Sequence, residues 1–318
     1  MSFDFDAAVS APFRMQPGLR RLAPGAAQLT PAGPGLLHQR EKLAVLSAFK
    51  AQALLARDGF DATPALAALA AQAAAEHPAT LRWDGRRAEA PALGVAVEGG
   101  QVHESGAGSF GLGDEIGRCL RQLAPEWRLP GLLSLVFCED FAIVDAADGS
   151  VPWLAVALPS HWAPEAKVGR HFAEIHAPVA DNSLLLAASE RLTTLVTGPQ
   201  RWERFVWTVT GHPRLHAHPA RCDPARWPAQ VDAASIAASA WWRCERQTFI
   251  PVPGRRQAVF TILVDVQPLA HAIAPGAMAQ RLQEAVASMS DAVIAYRGLG
   301  AVRGPLLDWL AARALEAA

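Results

Sequence analysis

The sequence predicts an α+β fold: one antiparallel β-sheet flanked by helices, with helical extensions at the N- and C-terminal ends. Three observations lead there. Helical spacing of apolar residues is concentrated toward the two ends, at 36–56, 64–76, 277–290 and 304–316. β-rich runs dominate the middle of the chain. Finally, 241–250 and 258–266 are two such runs joined by Pro253-Gly254-Arg255, the pattern of an antiparallel hairpin.

In order, residues 1–35 are rich in Pro, Gly and Ala and read as an extended surface arm. Residues 36–130 read as a helical and irregular region packed on a core formed by 131–318, the whole making one compact unit. Leu43, Leu46, Phe49 and Leu54 give the first helix its apolar spacing, and Pro64 suits the first turn of the second. Residues 84–112 are polar and glycine-rich, a loop or weak hairpin. GSFGLG at 108–113 does not match the spacing of a dinucleotide loop. LLSLVF from Leu132 and FAIVDA after it read as strands. AlaAspGlySer at 147–150 is a turn into a strand at 153–159. A helix is expected over 164–175, with Ser160 a candidate cap and Pro178 its end, then a helix over 183–196 and a strand over 204–210.

Composition narrows the function. The 318 residues are 51% hydrophobic and 19% charged, with a net charge of -1, which suits a globular chain with a sizeable core. No basic excess points to nucleic acid. The start, MSFDFDAAVS, lacks the basic region of a secretory signal, and no apolar run reaches membrane-spanning length, so a cytoplasmic location is expected. The four cysteines show no CxxC spacing, which argues against a zinc ribbon or iron–sulfur cluster in this chain. They are expected to be free and partly buried. Ten tryptophans against one tyrosine are expected mostly in the core, though such rings also wall apolar cofactor pockets. No Walker loop, Rossmann fingerprint or nucleophile elbow appears.

From residue 138 onward CEDFAIVD, LAVALPSHWAPEAKVGRHFAEIHAPV, RFVW, RCERQTF and AVFTILVDVQPL follow in order, with Tyr296-Arg297-Gly298 as a weaker tail. Together these blocks resemble the haem-dependent oxidative N-demethylase-like family, firmly over 138–298 and weakly back to Lys42. The resemblance implies a PAS-like sheet that binds haem b. It implies O₂ activation, loss of a methyl group as formaldehyde from a small secondary alkylamine, and electrons from a separate flavin or iron–sulfur reductase. Oligomeric state stays open. The chain departs from the family forms at Val206, where the family carries Asn, at Ala180 in place of Pro, and at Ala166 before Lys167.

Within these blocks His176 is the first candidate for the haem iron, at an expected helix end before Ala177-Pro178. The alternative is a histidine that caps that helix. His171 is the weaker candidate. Glu245 is the candidate catalytic carboxylate for an alkylammonium. On a strand it shares a face with Arg243 and with Trp241, Gln247 and Phe249, the last three being the expected substrate pocket, while Arg246 and Thr248 face the other way. An ion pair with Arg243 is an equal reading of Glu245. Lys167, Arg170, Arg204 and Arg243 are candidates to pair with haem propionates, or are solvated charge. Trp162 and Trp207 read as core. His212, His216 and His218 suggest zinc by spacing, but two prolines and no HExxH make a mobile polar loop the better reading. The competing function is a non-catalytic PAS-type haem or small-ligand sensor.

Overall fold

Side chains that alternate along extended backbone give a sheet two chemically different faces, and the chain uses this in its principal sheet. The computed structural model describes residues 3–106, 108, 111 and 113–316. In chain order the strands are β1 (Arg20–Arg21), β2 (Leu54–Ala56), β3 (Arg82–Trp83), β4 (Arg87–Ala90), β5 (Val95–Glu98) and β6 (Gln101–Glu104), then β7 (Asp140–Asp145), β8 (Ser150–Ala155), β9 (Trp202–Thr210), β10 (Trp241–Pro251) and β11 (Gln257–Pro268). Seven form an antiparallel sheet in the order β1-β9-β10-β11-β7-β8-β2, and β3 to β6 form a second, four-stranded meander. The protein is therefore α+β with antiparallel sheets.

The β10–β11 hairpin pairs Trp241 with Pro268 at one end and Pro251 with Ala258 at the other. Phe249 and Phe260 face each other across it, their rings stacked at 4.9 Å. The β7–β8 hairpin turns through Gly149, whose φ of +68° suits glycine, and a Cβ there would lie 2.4 Å from the His171 ring.

One face of the sheet is covered by helices in two patches. Phe141, Ile143, Trp153, Ala155 and Val259 pack in a core with residues of the helices Leu37–Ala48, Thr63–Glu76 and Pro125–Val136. Trp207, Val209, Trp242 and Cys244 pack with the helices Ala277–Ala287 and Arg303–Leu315. The other face looks into a cavity beneath residues 156–196.

Several expectations need correction. LLSLVF is not a strand: Leu132 to Val136 close the helix Pro125–Val136. That part of the helix is buried on every side, so it has no polar face to reveal its period. The helix expected over 164–175 is instead a 3-10 turn (Pro164–Ala166) and a five-residue helix (Phe172–His176), separated by Gly169 at φ +72°. Ser160 caps neither; His171 caps the second through Ala173 N–H at 3.2 Å. Much of 84–112 is the four-stranded meander rather than a loop. Within GSFGLG, residues 109, 110 and 112 lie outside the described residues. The strand expected over 153–159 runs from Ser150 to Ala155. All four cysteines are buried and free.

A buried charge cluster ties the first long helix to β7. Lys42 is 0% exposed, with its Nζ 3.3 Å from Asp140 Oδ1 and donating to Phe137 O at 3.2 Å. Glu139, equally buried, accepts Thr30 N–H at 2.9 Å through Oε2, while Oε1 finds no partner among the described residues. Burial, only partly offset by Thr30, pushes the Glu139 carboxyl up to about 7. The folded protein thus holds a proton that the unfolded chain releases near about 4.3. The stability this gives is fully present below the unfolded value and is lost as pH rises through about 7. Urea unfolding of Glu139→Gln and the parent at about pH 5 and about pH 8 checks this. The variant should gain on the parent at the higher pH; a constant difference would mean that Glu139 ionises freely in the fold.

Candidate cofactor site

The cavity has a volume of about 350 Å³, at the lower end of the roughly 300–1,000 Å³ of ligand and cofactor pockets. Its floor is the alternating face of five strands: Ala142 and Val144 of β7, Leu154 of β8, Phe260 and Ile262 of β11, Gln247 and Phe249 of β10, and Val206 of β9. Phe172, Ile175, Val179 and Leu185 add apolar wall from the covering segment. These surfaces suit a large apolar ring system.

His176 ends the helix Phe172–His176 and lines this cavity. Its Nδ1 lies 2.8 Å from Phe172 O. A carbonyl oxygen only accepts, so Nδ1 carries the proton and Nε2 keeps its lone pair. Burial, with Arg204 and Lys167 nearby, pulls the imidazole down to about 4 and keeps it neutral. This is the state in which imidazole binds a metal, with its other nitrogen oriented by a carbonyl.

Four cations and one carboxylate line the same space. Arg204 is carried by β9 opposite Gln247, and its Nε is buried with no partner among the described residues. Burial lowers its pKa while Glu245 opposes the fall. Lys167 donates to Ile175 O at 3.1 Å and lies 5.4 Å from the centre of the Trp162 ring. Arg297, whose pKa burial lowers to about 10, donates to Trp207 O at 2.6 Å and sits 4.7 Å from the Phe13 ring centre.

The fourth cation, Arg243, is 1% exposed, and its donors are spent on its own chain. Nε donates to Ser160 Oγ at 2.8 Å, Nη1 to Arg214 O at 2.8 Å, and Nη2 to Leu215 O at 2.8 Å and Pro159 O at 3.2 Å. Glu245 accepts from Ser160 Oγ and, at 2.6 Å, from Gln247 Nε2.

The cavity therefore gathers His176, Lys167, Arg204, Arg243, Glu245, Gln247 and Phe249 from the sequence-based candidates. Two others lie outside its lining. Arg170 has 64% of its side chain exposed and faces Glu174 at 4.0 Å. Trp241 is at the far end of β10, opposite Thr210 and Pro268. Among the lining residues that sequence reasoning passed over are Arg297 and His161. Arg297 stands in the Tyr-Arg-Gly tail, a signal that was present. His161 stands inside the quoted block LAVALPSHWAPEAKVGRHFAEIHAPV, with no spacing to other polar residues that singles it out.

The histidine loop is better packed than a mobile polar segment. His218 is 3% exposed and 3.0 Å from Glu165, and His216 Nδ1 donates to Ala157 O at 2.6 Å. Among the described residues no group of three or more His, Cys, Asp or Glu is placed to hold a metal ion. Haem asks for less, since its iron needs one protein nitrogen and the porphyrin supplies the rest. The donor set fits such a group: a neutral imidazole, His176, whose Nδ1 proton is committed to a carbonyl, apolar walls, and more cation than carboxylate for two propionates.

Arg243 is the easiest part of this site to test alone. Lysine cannot span Pro159, Arg214 and Leu215 with one ammonium. Arg243→Lys should lose at least about 2 kcal/mol in urea unfolding, the scale of one buried hydrogen bond to a charged group. Unchanged stability would show that the carbonyl contacts are incidental.

A family model described as "Haem-dependent oxidative N-demethylase, alpha subunit-like" matches residues 128–307. That range holds every cavity residue named above; Met15 of the N-terminal arm also lines the cavity and lies outside it. It also covers more than half of the chain, so this protein belongs to the haem-dependent oxidative N-demethylase, alpha subunit-like family.

Proposed function

We propose that this chain is the haem-bearing subunit of an oxidative N-demethylase, with haem b seated in the cavity on a PAS-like sheet and His176 as its protein ligand. One observation carries the reading. The His176 imidazole is neutral, and its Nδ1 proton is committed to Phe172 O, which leaves Nε2 free to bind a metal. Lys167, Arg204 and Arg297 hold the propionates. Arg204 has a buried Nε without a partner among the described residues, and a carboxylate would satisfy it. When bound, haem supplies the dioxygen and one-electron chemistry that side chains lack.

The chain's own contribution is binding and exclusion of water. With the propionates paired, Glu245 is the anion that remains for a small secondary alkylammonium. The stacked Phe249 and Phe260 rings add apolar and cation–π contact. Electrons come from a separate flavin or iron–sulfur reductase in the cytoplasm. No described helix is long and apolar enough to cross a membrane. A second reading is a haem or small-ligand sensor without turnover. It is favoured by the fact that both Glu245 oxygens already accept hydrogen bonds, from Ser160 and Gln247.

Haemin added to the purified protein should give a Soret band at near one haem per chain. His176→Ala should lose that band or shift it strongly, whereas His171→Ala should not, since His171 serves as a helix cap. A protein that takes up no haemin contradicts the proposal.

Amines then separate the two readings. Small secondary amines should shift the spectrum of the haem-loaded protein. Glu245→Gln keeps the shape and should weaken amine binding by roughly 2–4 kcal/mol, the cost of truncating one partner of a buried charge pair. If no amine perturbs the spectrum, the sensor reading replaces the enzyme. If the variant titrates like the parent, Glu245 only braces Ser160 and Gln247.

A further inference from the structure

A second histidine faces the same cavity, and nothing in the reading above uses it. His161 lies in the connection after β8 and lines the cavity with its neighbours Ser160 and Trp162. Its backbone φ is +62°, one of two positive values among the described non-glycine residues. L-residues rarely adopt this region, and where the surroundings hold one there it marks a side chain aimed for a purpose. Here the surroundings do hold it. His161 N–H donates to Ala217 O at 2.9 Å, and Ala217 N–H donates back to Pro159 O at 3.0 Å. Ser160, between them, is gripped by Arg243 and Glu245. The strained backbone is clamped on both sides.

The ring so aimed is unsatisfied. Both His161 nitrogens are buried with no hydrogen-bond partner among the described residues. The His212 ring stands edge-to-face against it at 5.2 Å and 71°, and both of its nitrogens are also buried and unpartnered. Buried polar groups are nearly always paired, so this corner of the cavity is built for something that pairs with it.

The charge around the corner selects what that is. Arg243 lies close enough to depress both rings, and Arg214 adds to its effect on His212. Burial with these cations brings His161 to about 3 and His212 to about 4. Both rings are neutral, so each offers one N–H and one lone pair. A metal cation beside a buried guanidinium is disfavoured by charge, whereas an anion or a polar oxygen is favoured.

We infer that His161, backed by His212, is the hydrogen-bond donor that holds a small acceptor ligand in the cavity, either dioxygen or a small anion. This rests on the haem reading, because the cofactor brings such ligands to the site, but it assigns a role to a side chain other than the proposed ligand His176.

The probe is azide, titrated into the haem-loaded ferric protein and followed by absorption. His161→Leu removes the donor at similar size, and His161→Gln retains one. Expected are normal haem uptake by both, azide affinity about ten- to a hundredfold lower in His161→Leu, and partial recovery in His161→Gln. That loss is roughly what one hydrogen bond to a charged acceptor contributes. The ferrous carbon monoxide complex provides a second readout: its C–O stretch should move to higher wavenumber in His161→Leu, as a donor near the oxygen is lost. Haem uptake with unchanged azide affinity and C–O stretch overturns this inference alone. Loss of haem from His161→Leu but not from His176→Ala overturns it too, by making His161 the axial ligand. Failure of the parent to bind haem removes the cofactor reading, and the inference falls with it.

Discussion

The cavity depends on one buried guanidinium. Arg243 projects from β10 and is the largest fully buried side chain among the described residues. Its three nitrogens reach two separate stretches of chain, 158–160 after β8 and 214–215 after β9. Neither stretch is regular secondary structure, so neither has a ladder to satisfy its carbonyls. Arg243 supplies the missing donors and in doing so fixes Ser160, which bridges it to Glu245. The covering segment is therefore fastened to the middle of the sheet. The cost of burying the charge is offset because nearly every N–H has an oxygen to meet.

Much of the architecture was legible. β-rich runs with turn residues at 147–150 and 253–255 gave the hairpins, and alternation along β10 gave the face shared by Arg243, Glu245, Gln247 and Phe249. His176 was legible as a helix end because Ala177-Pro178 follows it. Other features left no local trace. Leu132 to Val136 are buried all round, and such a run looks the same in a strand or a helix. Strands β3 to β6 are two to four residues long, too short to establish a period against their glycines. The break near Gly169 depended on a single residue, and an apolar count across 164–175 passes over it.

The misses within the site share a cause. Arg297 meets Trp207 across 90 residues, and His161 meets His212 across 51. Side chains so far apart in sequence are joined by topology alone. Lone histidines and arginines carry no period, so the motif blocks could mark their neighbourhood but not their orientation. The reverse also holds: Arg170 and Trp241 stood in promising blocks, yet one turns to solvent and the other lies beyond the cavity's end.

The N-terminal arm has a consequence for how the protein behaves in a crowd. Strand β9 is nine residues long and next to the edge, and β1 pairs with only two of them. Elsewhere the arm guards it with side chains and single contacts: Phe3 packs edge-on against Phe205, Trp207 Nε1 donates to Ala8 O, and Arg20 covers Phe205 at 5.0 Å while meeting Glu203 at 3.0 Å. A long edge with unpaired N–H and C=O groups is a template for strands of other molecules. Removing the first twenty-odd residues would take Val9 out of the core beside Trp207 and Trp242 and strip this guard, leaving an edge that recruits strands of neighbouring molecules into aggregates.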